Sequence, residues 1–244
     1  MKILSWNILA QEFIESHYYP RIPGKVLFND RQRQTRHLEL LKQADADIIL
    51  LQEVMPEECR VLEQEFQEKY HLVKGNPIQW EYISTNSSSG NVILVRKSMF
   101  VVHGVPLHFT CGLSIPVRLK HSDQPLTVLN VHLEDSSPSK RLQQLYELQP
   151  LLHSDTHIII GGDFNEHYTP TTKLYNTLKN FYFSTFNTAP TYYIGEIMCL
   201  DHIFLKGFET HRKTGQVINK FKNNIVGQFT NYGSDHLPVL LTVT

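Results

Sequence analysis

The chain has 244 residues, a formal net charge of −1 and a pI near 6.9. With 41% hydrophobic and 19% charged residues, it reads as a soluble globular chain with a sizeable core, which excludes a disordered or fibrous one. Near-neutral charge also excludes a broad basic field that grips duplex DNA non-specifically, so any nucleic-acid partner has to be held by local groups.

The first ten residues briefly imitate a signal peptide, but Ser5 and Asn7 interrupt the apolar run and Gln11-Glu12 follow too soon. No stretch approaches the roughly 20 apolar residues of a membrane span. Cys59, Cys111 and Cys199 form no CxxC pair, which fits a reducing compartment. The expected location is intracellular, cytoplasmic or nuclear, and the expected state is a monomer.

In chain order, Lys2–Leu9 reads as a strand. A helix follows over 31–44, with Asp30 as its cap and Leu38, Leu41 and Ala44 along one stripe. Asp47–Leu51 is a second strand. Pro56 opens a helix with Glu57 and Glu58 at its positive end, and Cys59, Leu62, Phe66 and Tyr70 keep helical spacing. Ser84–Gly90 reads as a polar turn before the strand Asn91–Val95. Leu126–Leu133 is the next strand, and Ser137-Pro138 opens a helix burying Leu142, Leu145, Leu148 and Leu152. The strand His157–Ile160 precedes a helix expected to open at Thr169-Pro170. Leu200–Leu205 and Leu237–Val243 are strands, and 206–231 between them reads as a long loop or weak strands. There is no internal repeat and no shift of composition, so one domain over 1–244 is expected.

The apolar runs end, or begin, with residues a buried strand does not need. Ile48–Leu51 runs into Gln52-Glu53, and Ile158–Ile160 runs through Gly161-Gly162 into Asp163-Phe164-Asn165. Val128–Val131 meets His132, Asp201-His202 opens Ile203–Leu205, and Ser234-Asp235-His236 opens Leu237–Val243. Singly, each has a plain explanation: a turn former, a helix cap, a satisfied core histidine. Jointly, and in this order, they carry more.

The set Trp6-Asn7, Gln52-Glu53, Asn130-Val131-His132-Leu133, Gly162-Asp163-Phe164-Asn165, Leu200-Asp201-His202-Ile203 and Ser234-Asp235-His236 resembles the endonuclease/exonuclease/phosphatase (DNase I-like) superfamily over nearly the whole chain. The resemblance implies an α/β fold, a four-layer sandwich of two mixed sheets face to face with helices outside. It implies a metal-dependent phosphodiesterase using Mg²⁺ (or Mn²⁺). Such hydrolysis needs neutralised phosphoryl oxygens, an aligned water and help for the leaving oxygen. Glu53 is the expected principal metal ligand, with Asn7 and Asp235 beside it. Asp163 matches the residue that orients or deprotonates water. Asn165, two residues on, points to the same side if the segment is extended, and its amide suits a phosphate oxygen. His236 matches the histidine on the scissile phosphate, Asp201 the carboxylate that orients it, and His132 a second histidine for phosphate or leaving group.

For the substrate, two groups within the superfamily are similar. His132-Leu133-Glu134 with the later Arg141…Gln144-Leu145, and Thr191-Tyr192, resemble tyrosyl-DNA phosphodiesterase type 2, which implies substrate contacts at Arg141 and Tyr192; GDFN departs from that group's GDTN. Asn7–Ala10, the basic helix ahead of Gln52-Glu53-Val54, and Ser234–Pro238 resemble the deadenylases. Tyr192, Tyr193 and Phe229 are candidate base-stacking rings, and Lys213, Lys220 and Lys222 candidate phosphate contacts. The expectation is a nuclease-type hydrolase acting on single-stranded or end-processed nucleic acid, such as a 5′-tyrosyl DNA end. The alternatives are a poly(A) or 2′,5′-oligoadenylate exoribonuclease, a lipid or inositol phosphodiesterase, and, from another class, a non-catalytic binding module.

Overall fold

Alternating apolar side chains sort the strands into two mixed sheets. The structure, a computed structural model, describes residues 1–75, 89–122, 124–154, 156–185, 187, 189–219 and 225–244. Most of the expected turn at Ser84–Gly90, together with Lys220 and Lys222, lies outside the described residues. One sheet runs, in spatial order, β12 (Lys213–Val217), β13 (Val239–Val243), β1 (Lys2–Asn7), β2 (Ile48–Val54), β4 (Gly90–Arg96) and β3 (Tyr70–Lys74). The other runs β10 (Ser184–Thr185), β11 (Asp201–Lys206), β9 (His157–Asp163), β8 (Pro125–His132), β7 (Gly112–Leu119) and β5 (Phe100–Val102), with β6 (Leu107–Phe109) also on β7. Among the described residues only β1–β2 and β8–β9 pair in parallel; the other pairs are antiparallel.

The inner faces share one core, in which Ile3, Ile48, Leu50 and Ile93 meet Ile115, Val128, Ile159 and Ile203. Outside the first sheet, Leu4, Trp6, Ile49 and Leu94 pack under α2 (Asp30–Ala44) and α3 (Pro56–Phe66). Outside the second, Leu129, Val131, Ile158 and Ile160 pack under α4 (Pro138–Glu147), α5 (Gln149–Leu152) and α6 (Lys173–Asn180). Leu27 of α1 (Gly24–Leu27) and Phe229 of α7 (Ile225–Tyr232) close a smaller cluster. Period-two burial on both faces of each sheet explains the layering: each strand needs partners above and below. This is the expected four-layer α/β sandwich.

Several local expectations shift. The α2 cap is Asn29, which accepts from the Gln32 amide, and the face it buries carries Arg33, His37, Leu40 and Leu41, leaving Leu38 and Ala44 at the margin. Tyr70 keeps helical spacing in sequence but opens β3: α3 stops at Phe66, and the two rings still meet edge-on at 5.5 Å across the turn. Thr169-Pro170 lies in a turn, and α6 begins at Lys173. The segment read as loop or weak strands holds β12 and, past residue 224, α7. The three cysteines are free and buried. No helix among the described residues is long and apolar enough to cross a membrane.

Candidate active site

The inward-facing stripe of each central strand is apolar along most of its length and turns polar at one end. On β1 it reads Ile3, Ser5, Asn7; on β2 Ile48, Leu50, Gln52; on β8 Val128, Asn130, His132; on β9 Ile159, Gly161, Asp163. These strands point the same way within each sheet. β11 and β13 run opposite to their neighbours, so their polar residues come first: Asp201 pairs with Asp163, and Ser234-Asp235-His236 leads into β13 beside the end of β1. Motifs scattered over the sequence therefore meet at one rim, on a rigid platform.

Beneath the rim the sheets are locked together. Gln52 donates to Asn130 Oδ1 at 2.7 Å, and the Asn130 amide donates to the carbonyls of Leu51 and Val92 at 2.8 and 2.9 Å. Gly161 permits this approach, since a Cβ there would lie 2.4 Å from Leu50 Cδ1.

Glu53 follows an inward-facing residue, so in a regular strand it would face outward. A bulge between Leu51 and Val54, with Glu53 at φ 58°, turns it back toward the site. Its Oε1 accepts from Asn7 Nδ2 at 2.7 Å and its Oε2 from the Ala10 amide at 2.9 Å. The same Asn7 amide reaches Asp163 Oδ2 at 3.0 Å, bridging two acids from opposite sheets. His132 Nε2 stands 3.8 Å from Glu53 and 3.7 Å from Asp163, and is a quarter exposed. His236 donates from Nδ1 to Asp201 at 2.8 Å, and its Nε2 faces Asp163 at 3.6 Å. Tyr19 donates to Asp235 at 3.0 Å.

The electrostatics divide the acids. Burial raises the Glu53 carboxyl against the opposing pull of His132 and Asn7, and burial raises Asp235 and Asp201 as well. Burial also disfavours charge on Asp163, but His236, His132 and the Asn7 and Asn165 donors together hold it below the ordinary carboxylate range. His236 is driven well above the usual imidazole range: burial opposes its charge, and Asp201 and Asp163 overcome it.

Donor atoms of Asp163, Asp201 and His236 lie within 4.8 Å of one another. Both nitrogens of that histidine face carboxylates, so this trio is an acid–imidazole–acid relay rather than an ion cage. Glu53, Asp163 and Asp235 with Asn7 form the better match to a hard divalent ion. The three carboxylates are hard oxygen donors, two of them raised by burial, and Asp235 Oδ1 is buried without a hydrogen-bond partner; Asn7 turns its amide N–H groups to Glu53 and Asp163 and positions them, its oxygen accepting from the Leu9 N–H. The residues fit such an ion.

Tyr192 lies over the site, its ring 5.0 Å from that of His236, and its backbone bridges to His236. Asn165 differs from the extended geometry expected: it sits at φ 48°, with its backbone N–H turned onto Asp163 Oδ1 at 2.8 Å and its amide on the Leu133 carbonyl at 2.9 Å. It joins the rim through that turn. Arg141 is not brought to the cluster; it is buried against Glu166 at 2.6 Å and the carbonyls of Glu134 and Asp135.

Sequence reasoning passed over Tyr19 and Arg33. The Arg33 guanidinium is buried and donates to the carbonyls of Gly233, Ile8 and Leu9 and to Gln11, tying the loop after Asn7 to the loop before Asp235. A cation four residues before His37 on a buried helical face was its available signal; Tyr19 offered none.

The Endonuclease/Exonuclease/phosphatase family profile matches residues 4–236. Among solved structures, that of ANGEL2, a 2′,3′-cyclic phosphatase, in complex with adenosine-2′,3′-vanadate, is similar with a TM-score of 0.81 at 18% identity, covering 98% of this chain and 94% of that one. The human Nocturnin catalytic domain with bound sulfate gives 0.71 at 16% identity, covering 100% and 94%. Truncated Caenorhabditis elegans TDP2 gives 0.64 at 17%, covering 99% and 96%. At these identities the likeness is one of fold. No curated protein sequence matches significantly.

Proposed function

We propose, for a chain that belongs to the endonuclease/exonuclease/phosphatase family, metal-assisted hydrolysis of a phosphodiester bond in nucleic acid, single-stranded or at an end being processed. The observation that carries this reading is the meeting of Glu53, Asp163 and Asp235 with a cationic His236 at one rim. Glu53 and Asp235, with Asn7, would hold Mg²⁺ (or Mn²⁺). When bound, such an ion neutralises charge on phosphoryl oxygens.

The remaining work belongs to side chains. Asp163, kept ionised by its imidazole neighbours, takes the proton of the attacking water or orients it. Asp201 fixes the His236 ring through Nδ1, so that Nε2–H is free to turn from Asp163 to a phosphate oxygen. His132, the more exposed imidazole, stands where it can protonate a leaving oxygen. Asn165 keeps amide capacity beyond its bond to Leu133 for a second phosphate oxygen.

Purified protein with Mg²⁺ should cleave bis-p-nitrophenyl phosphate and a fluorescent oligonucleotide. Asp163→Asn should lower kcat at least roughly a hundredfold. Equal turnover in that variant, or turnover indifferent to a chelator, removes the mechanism. A panel of 5′-tyrosyl DNA, poly(A), 2′,5′-oligoadenylate, a 2′,3′-cyclic phosphate end and sphingomyelin then sorts the substrate class; preference for the lipid overturns the nucleic-acid reading.

A further inference from the structure

Two residues of the rim also face away from it. Tyr19 gives its hydroxyl to Asp235, while Tyr192 covers His236. Both line a cavity of 580 Å³ on the outer side of this wall, between the 17–22 segment and the 192–195 turn. Ile22 and Ile225 add apolar surface, and Tyr193 and Ile194 continue the wall. Tyr18, His17 and Arg21 stand at its mouth, with Tyr18 56% exposed. Arg21 is exposed and has no hydrogen-bonded or ion-paired partner among the described residues, whereas His17 lies 3.2 Å from Glu15.

Aromatic walls, an apolar floor and, at the mouth, a guanidinium without a partner among the described residues match a planar ring that carries a phosphate. Tyr18 comes from the connection between β1 and α2, which also supplies Tyr19 to the site. We propose that this cavity is a nucleotide subsite, in which the base of a residue flanking the scissile phosphate stacks on Tyr18 and the Tyr192–Tyr193 wall while Arg21 takes that residue's own phosphate. The inference rests on the nucleic-acid reading above and adds a position to it. The base contributes stacking and the guanidinium a charge-assisted contact, neither of which depends on base identity. The subsite therefore selects polymer over small ester without selecting sequence.

Tyr18→Ala and Arg21→Ala change exposed side chains outside the reacting cluster. Each should lower kcat/KM on a fluorescent oligonucleotide roughly tenfold, mainly through KM, as expected for one lost stack or phosphate contact. Turnover of bis-p-nitrophenyl phosphate should stay at the wild-type value. Equal loss on both substrates, or no loss on the oligonucleotide, overturns the subsite. A second measurement separates the subsite from the reaction assignment: titration of metal-free protein with adenosine 5′-monophosphate. Binding that survives Asp163→Asn and is lost in Arg21→Ala and Tyr18→Ala supports the subsite even where no oligonucleotide is cleaved. Absence of millimolar binding to wild-type protein, or binding indifferent to both variants, rejects it.

Discussion

Two buried histidines, one following Asp201 in the chain and the other hydrogen-bonded to it, behave in opposite ways. His236 gains two carboxylates and is held cationic; His202, fully buried, spends its ring on the Tyr175 hydroxyl at 2.9 Å and the Asn187 carbonyl at 3.2 Å, and burial lowers it to about 4. An unfolded histidine titrates near 6.5. Between pH 6.5 and about 4 the unfolded chain therefore binds a proton that folded His202 refuses, and stability falls as pH drops through that window, by on the order of 3 kcal/mol. His236 has the reverse sign: its contribution is full below 6.5 and is lost as pH rises through its raised value. Denaturant titrations of His202→Gln should show a flatter acid limb between pH 4 and 6.5; an unchanged slope rejects the assignment. Arg33 offers a second test. Arg33→Met leaves the carbonyls of Gly233, Ile8 and Leu9 without their donor, and should cost about 3 kcal/mol of unfolding free energy. A loss within 0.5 kcal/mol, the scale of an ordinary surface change, would mean that the latch carries no weight.

At the scale of elements, backbone geometry decides what side-chain pattern cannot. A Cβ at Gly162 would lie 1.9 Å from the Val131 carbonyl oxygen, inside the β8–β9 pairing, whereas one at Gly195 meets nothing within 4 Å. Gly162→Ala should cost roughly 3 kcal/mol or more, and Gly195→Ala about 1 kcal/mol for its φ of 71°; comparable melting temperatures for the two would contradict the packing. The same distinction governs what the sequence disclosed. Strands buried on both faces, such as Ile48–Leu51 and Ile158–Ile160, stand out as continuous apolar runs. β7 does not, because Pro116 interrupts it. There the Pro116 carbonyl accepts from His103 on the side away from β8, so the missing N–H faces the gap between β5 and β6 and leaves the β7–β8 ladder whole. α7 (IVGQFTNY) carries β-branched residues and a glycine that argue against a helix; burial of Phe229 and Tyr232 overrides that local preference. The Glu53 bulge was likewise invisible, since no residue type announces it.

For the molecule as a whole, the order of the polar motifs was readable and their convergence was not: Asn7 meets Asp163, and Asp201 meets His236, only once two sheets face each other. Crowded acids at that junction cost stability until a cation joins them. Adding Mg²⁺ to chelator-treated protein should therefore raise the unfolding free energy, by about 2.7 kcal/mol at a hundred times the dissociation constant. Asp235→Asn should shrink that gain, and a melting temperature insensitive to Mg²⁺ would argue against the site. The pairing of β1 has a temporal consequence. Ile3 lies between Ile48 on one side and Leu241 on the other. On the ribosome, β1 can dock with β2 early but keeps a bare edge until β13 has been made, and Asn7 waits equally long for Asp235 and His236. The rim is thus completed only as the final strand is reached, and a chain stopped short of Asp235 lacks part of the rim and is left with an open seam at the centre of a sheet.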